Sequence, residues 1–137
     1  MKTIYLIACA SKKLNRRAKA EDLYDSDLFR KSLAYAHQMR PAGVFILSAK
    51  HGLVQLDAQI APYNLTLNKM SASAVKAWSD IVFRQLQSRT EVEKDHFVFL
   101  AGDKYRRYLV PRLGSVEVPM EGLAIGRQLQ FLKRHLA

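Results

Sequence analysis

Three short apolar stretches decide the fold: Thr3–Ala8 (TIYLIA), Gly43–Ser48 (GVFILS) and His96–Ala101 (HFVFLA). Each has the length of a buried β-strand and is rich in β-branched or aromatic residues. Their near-continuous hydrophobicity is typical of strands covered on both faces, as in a parallel sheet. A weaker run, Ser115–Val118 (SVEV), indicates one more strand.

Helical patterns separate these strands. We expect one helix between the first two strands, capped by Ser26 and ending before Pro41, and a second opened by Ser71 or Ser73. Two further helices are expected, over Lys104–Leu113 and from about Ala124 to Leu136. The alternation predicts a single α/β domain over residues 1–137, a three-layer α/β/α sandwich around a mostly parallel sheet of about four strands.

The composition is that of a folded, strongly basic domain. The chain of 137 residues carries 22 Lys and Arg against 12 Asp and Glu, a formal charge of +10, and 49% of its residues are apolar. This length excludes a multi-domain protein, and this apolar content excludes a disordered basic tail. A cationic domain attracts polyanions, so nucleic acid is the expected partner, with phosphorylated small molecules and anionic membranes behind it.

Cysteine and histidine usage bears on compartment and cofactors. The single Cys9 cannot form an internal disulfide, so a cytoplasmic protein is expected. The first residues imitate a short signal peptide, but Thr3–Ala8 is better interpreted as a buried strand, and no stretch approaches the roughly 20 apolar residues of a membrane span. The histidines show no zinc-ligand spacing, so we expect no metal and no other cofactor. The lack of a membrane span likewise leads us to expect no membrane partner.

The segments that follow the strands are the place to look for chemistry, because ligands of open parallel sheets bind outside the carboxyl ends of the strands. Four such segments are rich in small and ionisable residues: Cys9–Lys13, Ser48–Gly52, Gly102–Tyr105 and Pro119–Gly122.

The stretch Ser48-Ala49-Lys50-His51-Gly52-Leu53 carries the sharpest signal. Small residues let backbone N–H groups approach an anion, Lys50 adds positive charge, and His51 titrates near neutrality. Lys50 and His51 are therefore candidate catalytic residues, and Ser48 is a candidate phosphate ligand. The alternative is an ordinary turn with a solvated lysine.

A basic loop follows the first strand. It can clamp a nucleic-acid backbone through Ser11 and its cations, or it is a loop kept in solution by its charge. Its candidate phosphate-binding residues are Ser11, Lys12, Lys13, Arg16 and Arg17.

The long connection after the second strand contains Pro62-Tyr63-Asn64-Leu65-Thr66-Leu67. Connections of this length are often functional. Tyr63 can stack on a base and Asn64 can bind its polar edge, or Tyr63 can simply pin the loop to the core.

The last two segments offer carboxylates. Asp103 can cap a helix or act as a general base, while Lys104 and Arg106 beside it can bind phosphate. Glu121 stands in an otherwise apolar turn near Gly122, where a carboxylate can serve as acid, base or nucleophile, or cap a helix.

These motifs resemble a family of short, uncharacterised bacterial and phage domains of the DUF6884 type. The resemblance runs through Ala8-Cys9 with its lysines and ends in a C-terminal EGLxIGxQL pattern, covering nearly the whole chain. The shared stretches between are Leu23–Lys31, Ser48–Leu53, Pro62–Leu67, Leu100–Arg106 and Glu121–Leu132. A more distant similarity to an archaeosine synthase domain and to YaaA peroxide-stress proteins implies a setting of modified bases or DNA damage.

The leading hypothesis is an enzyme that acts on DNA, an N-glycosylase or a base-modifying enzyme directed at an unusual or phage-modified base. Lys50 and His51 would stabilise departing negative charge, and Asp103 or Glu121 would orient water or support the positive sugar. The alternatives are a tRNA-modifying or nucleotide-modifying enzyme and a non-catalytic, basic nucleic-acid-binding module.

Overall fold

A computed structural model describes residues 1–137, with strands and helices that alternate along the chain. The strands are β1 (Thr3–Ala8), β2 (Ala18–Lys19), β3 (Gly43–Ser48), β4 (Gly52–Gln55), β5 (Gln59–Ile60), β6 (His96–Leu100) and β7 (Ser115–Glu117). The helices are α1 (Ala20–Leu23), α2 (Asp27–Gln38), α3 (Ala72–Arg89), α4 (Asp103–Arg106) and α5 (Ile125–His135).

The main sheet has five strands in the order β4-β3-β1-β6-β7. β3, β1, β6 and β7 run parallel to one another, and β4 pairs antiparallel at one edge. The chain crosses from β1 to β3 in one direction and then returns past β1 to β6. This reversal creates a topological switch point between the carboxyl ends of β1 and β6.

β1 lies at the centre of two apolar layers. Tyr5 and Ile7 pack on the side of α2 and α5, whereas Ile4 and Leu6 pack on the side of α3. All four side chains are at most 5% exposed, because successive residues of a strand face opposite sides of the sheet and both sides are covered. The mixed α/β fold with a mostly parallel central sheet is therefore as predicted, in a three-layer arrangement.

The two long helices begin where the sequence predicts. The Ser26 hydroxyl accepts a hydrogen bond from the Phe29 N–H at 3.2 Å at the start of α2, and the Ser71 hydroxyl accepts one from Ala74 at the start of α3. Each bond satisfies one of the N–H groups that a first helical turn leaves free. Both helix starts thus lie at the carboxyl edge of the sheet.

The sheet contains one strand more than the four expected from the sequence. β4 follows β3 after the three residues Ala49, Lys50 and His51, and Ser48 pairs directly with Gly52. The stretch Ser48–Gly52 is therefore the turn of a tight β-hairpin, a strand pairing that the sequence did not predict. The four-residue strand is too short to show a clear alternation of polar and apolar residues.

The basic segment after β1 is ordered rather than a plain loop. β2 pairs antiparallel with β5, and α1 follows β2 immediately. Leu14, Ala18 and Leu23 pack into the core on the α2 side, which fixes the segment.

The helix expected over Lys104–Leu113 is broken. It consists of the four-residue α4 and a separate 3₁₀ turn over Val110–Arg112. Pro111 lies in that turn, and its missing N–H and fixed φ are incompatible with an uninterrupted α-helix.

The glycine at the hairpin allows a test of the fold. Gly52 has φ of +72°, and a Cβ there would collide with Gln85 Oε1, which accepts the Leu53 N–H at 2.8 Å. We expect Gly52→Ala to lower the free energy of unfolding by about 1–3 kcal/mol in urea denaturation, because it combines backbone strain with loss of this bond. Gly126→Ala is the matched control: a Cβ on this α5 residue meets nothing, and a gain of up to about 1 kcal/mol is expected. Equal effects of the two substitutions would contradict this account of the hairpin.

Candidate functional site

The four segments after the parallel strands lie at one edge of the sheet and contact one another. Lys13, after β1, lies over the Tyr63 ring, and Tyr63 binds Ser48 at the end of β3. Cys9, at the end of β1, binds Tyr105 in α4. Arg106, also in α4, approaches Glu121 after β7. The candidate residues that the sequence spreads over the chain therefore share one rim.

Tyr63 is the centre of this rim. Its hydroxyl lies 2.7 Å from the Tyr24 hydroxyl and 2.8 Å from the Ser48 hydroxyl. Ser48 also accepts the backbone N–H of His51 at 3.1 Å, and its carbonyl accepts the Trp78 indole N–H at 2.9 Å. These bonds hold the long connection, the hairpin turn and α3 together. Burial raises the pKa of Tyr24 to about 12 and raises that of Tyr63, so both are neutral hydroxyls at physiological pH.

Lys13 has a different setting from the other lysines of the rim. Its ammonium lies 4.3 Å from the centre of the Tyr63 ring and 3.1 Å from the Ser11 carbonyl oxygen. Burial lowers the pKa of Lys13, and the nearby Cys9 opposes that shift. Lys13 therefore covers one face of Tyr63. For Tyr63 to stack on a base with this face, the Lys13 side chain has to move away.

His51 stands in the hairpin turn with its side chain exposed. Its ring is perpendicular to that of Tyr63, with centroids 5.6 Å apart. Burial, followed by the neighbouring Lys50 ammonium, lowers the pKa of His51 below its ordinary value. The imidazole is therefore neutral at pH 7 and can accept a proton. Lys50 projects from the same turn, is exposed and takes part in no ion pair.

The expected cap at Asp103 is wrong. Gly102 occupies the N-cap position of α4, Asp103 is the first helical residue, and no side chain caps this helix. The carboxylate instead pairs with Arg107 and lies 3.9 Å from Arg106. Side-chain pairing wins here because two arginines follow on the same face of the helix.

Arg106 joins the last two segments. Its side chain is only 13% exposed, its Nε donates to the Ala101 carbonyl at 3.2 Å, and it lies 4.0 Å from Glu121. Glu121 itself is 70% exposed, so the turn does not enclose it as its apolar neighbours suggested. The two carboxylates thus flank one largely buried guanidinium.

The remaining candidates surround this centre. Lys12 is 77% exposed and lies 3.7 Å from Asp25, an exposed pair of little energetic weight that leaves Lys12 accessible. Arg17 donates to the Gln59 carbonyl and Lys104 to the Asn68 carbonyl. The exposed residues of the set are Ser11, Lys12, Arg16, Arg17 and Asn64.

Sequence reasoning missed two tyrosines of the rim, Tyr24 and Tyr105, and did not place Cys9 among the candidate site residues. The Cys9 thiol lies 3.5 Å from the Tyr105 hydroxyl, which also accepts the Leu67 N–H at 3.4 Å. Burial raises the pKa of Tyr105, so this hydroxyl is also neutral. The position of Cys9 directly after the central strand was the one available signal.

A cavity of about 70 Å³ lies at the switch point between β1 and β6. Cys9 and Gly102 border it from the two strand ends, and Ser26 and Ser32 border it from α2. No three His, Cys, Asp or Glu side chains lie together in a metal-binding group. No helix is long and apolar enough to cross a membrane.

The hydroxyl network supports a stability test. Tyr63→Phe and Ser48→Ala each remove one end of the same hydrogen bond, and in each case the remaining hydroxyl keeps one other hydrogen bond. In urea denaturation we expect a double-mutant cycle to give a coupling of about 0.5–1.5 kcal/mol. Tyr5→Phe with Ser48→Ala is the control, since Tyr5 borders a cavity with Met1 and Lys2 at the opposite edge. Additive effects for the Tyr63 pair would contradict the network.

Comparison with known proteins gives a family but no activity. A model described as a family of unknown function, DUF6884, matches residues 4–134, which is nearly the whole chain. No curated protein matches the chain. The matched range includes the parallel sheet, apart from Thr3 at the start of β1, and every segment of the rim. The chain therefore belongs to the DUF6884 family of unknown function.

Proposed function

We propose that this protein is an enzyme that acts on nucleic acid, DNA rather than RNA, and that it excises or modifies an unusual or phage-modified base. The observation that carries the proposal is the convergence of the basic segments on the same sheet edge as the neutral His51 and the switch-point cavity. A phosphate backbone requires a row of cations, whereas base chemistry requires a recess and a proton acceptor beside it. The sequence distantly resembles an archaeosine synthase domain and YaaA proteins, and that resemblance implies a setting of modified bases or DNA damage.

Exposed cations would hold the backbone. Lys12 and Lys50 project into solvent from neighbouring segments, and Arg16 extends the row along the segment after β1. Lys104 donates to a backbone carbonyl but keeps further N–H groups for a phosphate. Contacts of this kind position a nucleic acid without reading its sequence.

His51 is the proposed proton-transfer group. Its lowered pKa leaves the imidazole neutral at pH 7, the form that can take a proton from water or from a base. Lys50, next to it in the turn, is placed to stabilise negative charge on a departing base. Glu121 is the more accessible carboxylate to orient water or support a positive sugar, because Asp103 is held by Arg107.

Tyr63 and Asn64 keep distinct roles in this proposal. The Tyr63 hydroxyl is engaged by Tyr24 and Ser48, so Tyr63 offers only its ring to a base. Asn64 is exposed next to it, and its amide is free to contact a polar base edge.

The proposal is tested with modified phage DNA and with unmodified DNA, by mass spectrometry of released bases and of the DNA. We expect the wild-type protein to release or alter a base and His51→Ala to be slower by about 10²–10⁴-fold, because general acid–base catalysis has this magnitude. His37→Ala is the matched control, an exposed histidine in the last turn of α2. No released base and unchanged DNA mass would refute the enzyme proposal.

The pH profile of the same reaction tests the base role. Because the neutral imidazole is the active form and its pKa is lowered, activity should persist below the ordinary histidine value of about 6.5 and fall as the pH drops further. Lys50→Ala removes one cause of the lowered His51 pKa, so the acidic fall in activity should move to higher pH. If the acidic fall in wild-type activity had its midpoint above a pH of about 6.5, His51 would not be the proton acceptor.

Salt dependence of binding tests the phosphate contacts. We expect Lys12→Ala and Lys50→Ala each to reduce the slope of log affinity against log salt by about 1 for DNA. Lys133→Ala should leave it unchanged, since α5 ends beside the end of α2 at the opposite edge. Identical slopes for all three variants would refute the proposal that Lys12 and Lys50 contact DNA phosphates. Tighter binding to RNA would favour the tRNA alternative, and binding without turnover would favour a non-catalytic module.

A further inference from the structure

The switch-point cavity lies between the carboxyl edge of the sheet and the layer formed by α2 and α5. It lies between the carboxyl ends of β1 and β6, with Phe29 of α2 and Met120 before α5 among its apolar walls. Its volume of about 70 Å³ is room for roughly five to seven water-sized atoms. The cavity is a recess partly open to solvent, so a small molecule can enter it from the edge of the sheet.

A serine without a partner faces this cavity. Ser32 lies on the buried side of α2 and is only 3% exposed, yet its hydroxyl makes no hydrogen bond within the protein. Because this hydroxyl lies at the surface of the cavity, it can bind a water or a ligand there, whereas alanine would offer no such contact. Ser26 differs, because its hydroxyl already accepts the Phe29 N–H. The free Ser32 hydroxyl therefore indicates a ligand that completes it.

The other polar groups define the chemistry of that ligand. Gln128 of α5 donates its amide N–H to the Leu123 carbonyl at 2.8 Å, which leaves its Oε1 as an acceptor. The Ser26 hydroxyl keeps its proton to donate, and the first turn of α2 has N–H groups without helical partners. No charged side chain lines the cavity, and most of the lining is apolar. Donors and acceptors between apolar walls suit an uncharged, flat molecule better than an ion.

We propose that this cavity binds a neutral single-ring heterocycle of pyrimidine size, with Ser32 and Gln128 contacting its polar edge. The volume of about 70 Å³ is closer to that of one six-membered ring than to that of the two fused rings of a purine. The inference rests on the proposed function in one respect: the heterocycle in the cell would be the base that the enzyme acts on, removed from its stack and inserted at the switch point.

Binding of free bases tests the cavity without requiring catalysis. The probes are cytosine, thymine and uracil, with adenine as the oversized base and benzoate as a charged ring. Each is titrated to about 10 mM and followed by ligand-observed nuclear magnetic resonance and by the melting temperature, which detects millimolar affinity. We expect at least one pyrimidine to bind saturably, and adenine and benzoate to bind at least tenfold more weakly.

Substitutions place the binding in the cavity. Ser32→Leu fills the space and should abolish pyrimidine binding, and Ser32→Ala should weaken it about threefold to tenfold through loss of one hydrogen bond. Ser79→Ala is the matched control, because Ser79 is also a buried helical serine without a partner, but it lies in α3, away from this cavity. The melting temperature of each variant without ligand shows that it is folded. If Ser32→Leu does not fold, the pyrimidine affinity of Ser32→Ala is compared with that of Ser79→Ala. Equal affinities would then refute binding in the cavity.

The outcomes separate this inference from the proposed function. Saturable pyrimidine binding that is lost in Ser32→Leu, without any change to DNA, would retain the cavity and refute the DNA enzyme. The wild type could instead process DNA without binding any pyrimidine, or Ser32→Leu could process DNA equally well. Either result would support the DNA-acting enzyme and refute base binding in the cavity. Equal binding of adenine or benzoate would overturn the proposed ligand class.

Discussion

The burial of β1 on both faces is the constraint on which the rest of the structure depends. Its side chains alternate between two apolar layers, and its backbone pairs with β3 on one side and β6 on the other. A strand so enclosed requires parallel neighbours joined by helices, because such crossovers cover both faces of a sheet. Parallel strands in turn place the segments that follow β1, β3, β6 and β7 at one edge. The site is therefore a consequence of the central strand.

Tyr63 provides the second level of organisation. A single phenol binds Tyr24 and Ser48 and carries Lys13 over its ring, so it joins three segments that are distant in sequence. All of these oxygens are satisfied and neutral, which suits a fixed scaffold better than a set of acids. The exposed ionisable groups lie around it: Lys50 and His51 in the hairpin turn, and Glu121 in the segment after β7. This separates the residues that hold the rim from those that remain exposed at it.

The charge of +10 gains a specific meaning from this arrangement. Some of the cations are committed to the protein itself: Arg106 and Arg107 pair with Asp103, and Lys13 covers an aromatic ring. Lys12, Arg16 and Lys50 remain exposed on the same edge. A surface of exposed cations beside an uncharged, mostly apolar cavity matches the two parts of a nucleotide in a strand, a charged backbone and a neutral base. Separate surfaces for these two parts are consistent with the proposed function.

The sequence by itself determined the order of the parallel strands along the chain, two helices with their serine caps, and the four segments that follow the parallel strands. Those features depend on local signals: apolar runs, periodicity and hydroxyl residues at helix starts. The antiparallel β4, the break at Pro111 and the pairing of Asp103 with arginines were decided by neighbours rather than by local propensity. Only the tertiary structure placed Tyr24 on Tyr63 and Tyr105 on Cys9, and left Ser32 facing a cavity. Contacts between distant residues depend on how helices pack on the sheet, and no pattern of adjacent residues encodes that geometry.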